Sequence, residues 1–208
     1  MFRNLFRPDS PLMITMTQIT DCIFLSLFWL LGCFPVVTAG ASFAALYDAT
    51  YRGFRRGEKH PWQRFFTVFK ENWKGGILPT LLFLGAFTLL AKAVISLWNA
   101  AVYGTVSWTL FSAGAFVAVL ALGILSILFP MLSRFDNPLA GLLKNTVLLA
   151  LAHMPKTLAL GFVNAVSLLL CLRYVFPLFF LPSLAALIGS LFIEPMFRPY
   201  MPSEDVAG

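Results

Sequence analysis

Long apolar runs recur along the chain, and the short stretches between them hold most of its charge. Residues 14–34 form the first run, and 76–98, 108–132, 157–172 and 176–193 form four more. Each approaches the roughly 20 residues that a helix needs to cross a hydrocarbon core of about 30 Å. A further segment, 36–51, is rich in Ala and Gly and uncharged until Asp48. It predicts a short returning helix and thus a sixth span.

How the first two segments join depends on Gly32-Cys33-Phe34-Pro35-Val36-Val37-Thr38-Ala39-Gly40-Ala41-Ser42. Pro35 has no N–H to donate and clashes with the turn before it, so it reads as a helix boundary. Gly40 with Ala44, and Ala41 with Ala45, place small side chains one turn apart, which lets two helix backbones approach closely in lipid. The pattern predicts a hairpin packed through Pro35, Gly40, Ala41, Ala44 and Ala45. Two other readings compete with it. A signal peptide would use Arg3 and Arg7, the apolar 23–34 and the small Ala39-Gly40-Ala41, but would be unusually long. A binding cavity would need irregular backbone at membrane depth, tolerated only where protein or water surrounds it.

The segment 61–74 is patterned differently. Trp62, Phe65, Phe66, Phe69 and Trp73 recur at helical spacing, with Arg64, Lys70 and Lys74 among them. Such a helix can lie flat at the membrane interface, its aromatic face in the acyl boundary and its cations on anionic headgroups. A helix that docks a partner is the alternative. Residues 139–153 are apolar but interrupted by Lys144, Asn145 and His153, and read as a cytoplasmic or interfacial helix. Phe34-Pro35, Phe129-Pro130 and Phe176-Pro177 read as punctuation at span ends.

Composition fits this pattern: of 208 residues, 59% are hydrophobic, 12% are charged and 22 are Phe, with a mean hydropathy of +0.83. The expected fold is all-α, a polytopic membrane helix bundle of about six spans with an N-terminal hairpin and added interfacial helices, forming one integral membrane domain over 1–208. A net charge of +6 could point to nucleic acid in a soluble protein. Here the bilayer is the expected partner and nucleic acid is not, because the cations lie in short links where membrane orientation explains them. Placing 52–74, 134–156 and both termini in the cytoplasm leaves only Lys92 and Arg173, of 15 basic residues, towards the outside. Cys22, Cys33 and Cys171 are odd in number and widely spaced, so neither a disulfide framework nor a zinc site is expected.

Reactive constellations are not found in the sequence. Gly53-Phe54-Arg55-Arg56-Gly57-Glu58-Lys59 has the wrong spacing for a phosphate loop and no Ser or Thr after its lysine. His60 and His153 lack the clustered carboxylate or thiolate that a metal site or a nucleophilic triad requires. No catalytic, cofactor-binding or metal site is expected, and no enzyme. Charge inside the hydrocarbon is the better lead, since it costs about 2.5–3.5 kcal/mol on insertion scales and calls for a partner or water. Asp21 and Asp48 form the candidate intramembrane site, at similar depth on adjacent antiparallel helices. They can serve as a proton or cation site, or join Arg52 and Lys74 in a structural charge network, the preferred reading. Lys92 and Arg173 are expected to snorkel to outer headgroups, and Asn164 to bond a neighbouring helix. Arg52, Arg55, Arg56, Arg64, Lys70 and Lys74 make a candidate cytoplasmic interface.

Asp21, Leu27-Phe28-Trp29-Leu30-Leu31, Phe34-Pro35-Val36-Val37-Thr38-Ala39-Gly40-Ala41-Ser42 and Ala44-Ala45-Leu46-Tyr47 occur in the order that resembles the YesL-like family of bacterial membrane proteins, a family of unknown function. Phe65-Phe66, Phe69-Lys70-Glu71-Asn72-Trp73-Lys74 and Phe129-Pro130-Met131-Leu132-Ser133-Arg134-Phe135-Asp136-Asn137 continue the resemblance, which fades beyond about Ala159. Ser26 and Asp48-Ala49-Thr50 depart from the commoner pattern. The resemblance implies a multi-pass protein of the bacterial plasma membrane. It also implies association with carbohydrate uptake, as a companion of the permease subunits of an ABC-type oligosaccharide importer.

The charge asymmetry predicts that a Gly57→Cys thiol stays unlabelled by an impermeant reagent in intact cells and reacts once the cells are opened. Labelling from outside would reverse the topology.

Overall fold

The structure, a computed structural model, describes residues 11–135 and 138–200. Arg3 and Arg7, Asp136 and Asn137, and both chain termini lie outside the described residues. Among the described residues eight α-helices follow one another: α1 (Pro11–Cys33), α2 (Ala39–Arg55), α3 (Pro61–Asn72), α4 (Ile77–Val102), α5 (Trp108–Arg134), α6 (Leu139–Ala152), α7 (Met154–Arg173) and α8 (Leu181–Phe197). Short 3-10 turns occur at Val36–Thr38, Phe176–Phe179 and Arg198–Tyr200, and no strand occurs among the described residues. The helices α1, α4, α5 and α7, and α8 with the turn after it, are long and apolar enough to cross a bilayer. The chain is an all-α, multi-pass membrane protein.

The expected hairpin forms, and a side chain finishes the work that Pro35 begins. A helix ends with carbonyls that have no intrahelical partner. The Thr38 hydroxyl reaches both Gly32 O (2.7 Å) and Pro35 O (2.8 Å), answering one such carbonyl of α1 and one of the turn. Cys33 is therefore followed by a tight turn and then by α2. The turn draws Gly32 so close to Ser42 that a Cβ on Gly32 would lie 2.3 Å from the Ser42 Oγ.

A sixth full span was expected, but α2 has only 17 residues, about 26 Å of helix. Five helices, not six, reach spanning length among the described residues. Its surroundings explain how α2 can carry Ser, Thr, Asp and Arg: α1, α3, α4, α5 and α8 all pack against it, and nearly every residue from Gly40 to Thr50 is buried. Protein takes the place of lipid around this helix, so its surface need not be apolar.

The predicted small residues are buried as expected, but they serve more than the hairpin. Gly40 meets α4 and α5: its N–H donates to the Thr80 hydroxyl at 2.9 Å, and an added Cβ would fall 2.2 Å from that oxygen and 2.8 Å from Phe129. Ala41 closes on the backbone of Gly76 at the entry to α4. Ala45 joins Leu25, Leu46, Ala49, Phe65 and Val68 in a core shared by α1, α2 and α3. A second core lies across α5 to α8, around Ile127, Leu142, Leu160, Ile193 and Phe197.

One proline expectation needs correction, while the break expected at Phe176-Pro177 is present and only the start of the span after it moves. Pro130 lies inside α5 rather than at its end. The Ser133 hydroxyl bonds Pro130 O, and the helix runs on to Arg134. Pro177 occupies its own 3-10 turn, so α8 begins at Leu181 instead of Phe176. The helix α6, 14 residues long, is too short to span, in keeping with its reading as an accessory helix.

The helices α5 and α7 approach closely. A Cβ on Gly161 would lie 2.0 Å from the backbone oxygen of Val119, and one on Gly123 would lie 2.2 Å from that of Thr157. Neither carbonyl can move without disturbing its helix, so Gly161→Ala is expected to cost about 1–3 kcal/mol by overpacking. Thermal unfolding in detergent should show this as a lowered midpoint. Gly85→Ala, whose methyl meets open space, should leave the midpoint unchanged or slightly raised.

Candidate functional site: a buried arginine and carboxylate network

Where α2, α3, α5 and α8 converge, Asp48 is wholly buried and faces three arginines. Arg52, one turn on along α2, donates from Nε to Oδ1 at 3.2 Å. Arg64 of α3 donates from Nε to Oδ2 at 2.6 Å. Arg134, in the last turn of α5, holds its Nε 3.7 Å from Oδ1, an ion-pair distance rather than a hydrogen bond. Both carboxylate oxygens are thereby occupied.

The network extends in two directions. Inward, Arg134 Nη2 meets Glu194 Oε1 of α8 at 2.8 Å, and the Tyr47 hydroxyl donates to the same oxygen at 3.1 Å. Outward, Arg52 Nη1 reaches Glu58 at 3.3 Å. Among the described residues, three carboxylates thus meet three guanidinium groups. Side-chain exposure rises from 0% at Asp48 and 6% at Arg134 to 40% at Glu58, so the charge is graded from interior to surface. Arg134 also stacks over the Tyr51 ring, 4.7 Å from its centroid, and Arg56 lies 5.5 Å from the same ring. Burial works against the charge on Arg52, yet Asp48 and then Glu58 outweigh it and hold the guanidinium above the ordinary arginine range.

Local chain geometry assembles these groups. Tyr47, Asp48, Tyr51 and Arg52 lie within about a turn and a half of helix, so they share one side of α2. The Arg52 carbonyl accepts from the N–H groups of both Arg56 and Glu58, curling the loop back so that the Glu58 side chain meets Arg52. Gly57 and His60 then take positive φ, +67° and +63°. Glycine does this freely, whereas histidine does so only where the fold requires it. The reversal sends α3 back along α2 and delivers Arg64 to Asp48.

The sequence-predicted residues divide accordingly. Asp48 and Arg52 belong to the network, whereas Asp21, half-buried on α1, shares no hydrogen bond or ion pair with Asp48 among the described residues. Lys74 does not join it: its Nζ lies 5.9 Å over the Trp73 ring. Of the six cations expected to form a cytoplasmic interface, Arg52 and Arg64 are turned inward to Asp48, while Arg55, Lys70 and Lys74 are exposed. Lys92 and Arg173 are also exposed. Asn164 was expected to bond across helices, but its amide donates to Leu160 O on its own helix, 2.9 Å away. Arg134 and Glu194 were not assigned to the site from the sequence. The signal was a lone carboxylate, Glu194, in the otherwise apolar 181–197, which calls for a cation nearby.

Beside the network, a cavity of about 380 Å³ opens between α2, α4, α5, α7 and α8, walled by Phe43, Phe83, Phe87, Phe129 and Gly189. Of its polar groups, Ser126, Asn164 and Ser167 bond the carbonyls of Leu122, Leu160 and Val163 on their own helices, the Tyr47 hydroxyl bonds Glu194, and the buried Trp29 Nε1 has no hydrogen-bond partner among the described residues. Among the described residues no cluster of three or more His, Cys, Asp or Glu could hold a metal ion.

Residues 22–92 match the family model described as protein of unknown function, DUF624. The matched region runs from α1 into α4 and contains Asp48, Arg52, Glu58 and Arg64, while Arg134 and Glu194 lie beyond it. Neither a curated protein nor a solved structure matches the chain.

Removing one partner from a buried ionic group leaves uncompensated charge and typically costs about 3–5 kcal/mol. Asp48→Asn, which removes the carboxylate shared by three arginines while Arg52 keeps Glu58 and Arg134 keeps Glu194, is expected to lose about that much in denaturant unfolding of the detergent-solubilised protein. Asp21→Asn should change stability by only about 0.5 kcal/mol. Equal effects at the two positions would contradict the assignment of the brace to Asp48.

Proposed function

We propose that this protein is a non-catalytic membrane subunit or accessory of a bacterial carbohydrate importer, standing beside the permease subunits of an ABC-type system. The observation that carries the non-catalytic part is the enclosure of Asp48: it has no exposed surface and both its oxygens are held by guanidinium groups. A carboxylate that carries protons or cations needs access to them, whereas this one braces four helices. Among the described residues, the wall of the adjoining cavity has no charged side chain and commits its amide and two of its hydroxyls to backbone carbonyls. Such a wall offers an ion no charged partner.

Apolar surface for a membrane partner is plentiful. Leu81, Leu89 and Ile95 on α4, and Phe162, Leu169 and Leu172 on α7, are exposed, and packing between apolar helices drives association in lipid. The carbohydrate link comes from the resemblance to the YesL-like family alone. In this reading both termini and the basic link 52–74 face the cytoplasm of a bacterial cell, following the asymmetry of Lys and Arg.

The tagged protein, purified in a mild detergent that keeps the importer intact, is expected to carry importer permease subunits with it. Recovery free of every importer subunit under those conditions would refute the proposal.

A further inference from the structure

In the structure, α3 separates its side chains into stripes about 100° apart, the angular step between successive helical residues. Pro61, Phe65 and Val68 are buried against the protein. The next stripe holds Trp62, Phe66 and Trp73, whose exposures of 42%, 42% and 48% are high for such large apolar groups. The stripe beyond holds Gln63, Thr67, Lys70 and Lys74, all exposed. The expected aromatic face is thus divided, since Phe65 belongs to the core. On the side opposite the aromatics, Arg64 is bound to Asp48 and Glu71 is exposed.

Two features support placing this helix at the edge of the hydrocarbon. Only Gly75 and Gly76 follow Trp73 and Lys74 before the spanning helix α4 begins at Ile77, so the end of α3 sits where the chain enters the bilayer. Its aromatic stripe also continues the outer surface of a second spanning helix. Phe66 packs on Phe28 of α1 with ring centroids 5.0 Å apart, and Phe28 stacks on Phe24, itself half exposed. An aromatic stripe at this level, bordered by lysines, complements a surface with apolar chains below and negative charge above.

We infer that α3 is an interfacial helix that binds anionic phospholipid: Trp62, Phe66 and Trp73 enter the acyl boundary, and Lys70 and Lys74 hold the headgroup phosphate. This surface is independent of the importer reading and selects lipid by charge.

The test uses the full chain, delipidated in detergent and titrated with phosphatidylglycerol or phosphatidylcholine. Phosphatidylglycerol should bind more tightly. The paired change Lys70→Gln with Lys74→Gln should weaken it about 30-fold, or about 5-fold per lysine, whereas Lys92→Gln should leave it unchanged. In nanodiscs, lipids brominated near the ester end of the acyl chain should quench tryptophan fluorescence, and Trp62→Phe and Trp73→Phe should each remove part of the quenched signal. Equal affinity for the two lipids, or affinity indifferent to the lysine pair, would overturn the inference. So would quenching unchanged in both tryptophan variants, as expected if the face docks an acidic protein segment. Loss of the phosphatidylglycerol preference in millimolar inorganic phosphate would mark a free-phosphate site and overturn it equally.

Discussion

A carboxylate with no exposed surface must have its charge answered within the protein, and Asp48 imposes that requirement on much of this fold. Arg52 answers from the same helix, Arg64 from the helix that folds back along it, and Arg134 from the end of α5. Arg134 in turn brings Glu194, and with it α8. Four helices are held in register because one acid among them cannot be left alone. Burying such a network costs desolvation, so what it provides is a defined arrangement of helices more than net stability.

Small residues make the enclosure possible. Gly40, Ala41, Ala44 and Ala45 keep the start of α2 slim, so that Thr80 of α4, Phe129 of α5 and Leu25 of α1 can close around it. Gly123 and Gly161 do the same for α5 and α7. Where large rings stand instead, at Phe83, Phe87 and Phe129, the helices are held apart and the apolar cavity remains. Close packing at the network and open space beside it follow from the sizes of neighbouring side chains.

The long apolar runs announced the spanning helices, because length and hydropathy are local properties of the chain. The turn at Pro35 was legible for the same reason, since its signals lie within a few residues. The role of α2 was not: its small residues suit a pair of helices as well as a helix surrounded on every side, and the pattern does not count neighbours. The network was half legible. Asp48 with Arg52 could be read from one helical turn, but Arg134 and Glu194 reach it only through tertiary folding. Asp21 shows the converse, an intramembrane acid as conspicuous in the sequence as Asp48 yet left outside the network by the fold. Pro130 misled because a proline near the end of a helix can be absorbed when the chain around it is well packed.

The hydroxyls of Ser26 and Ser183 meet at 2.8 Å, joining the first helix to the last across 157 residues of chain. A ribosome adding about 5–20 residues per second would need on the order of 10 s or more to supply the second serine after the first. During that wait Asp48 has no Glu194-bound Arg134 to meet, but Arg52 and Arg64 emerge soon after it. The acid therefore leaves the ribosome with its own escorts, and the distant pair arrives later with opposite charges that cancel. The contact between Ser26 and Ser183 can form only once α8 has been made and seats against helices synthesised before it.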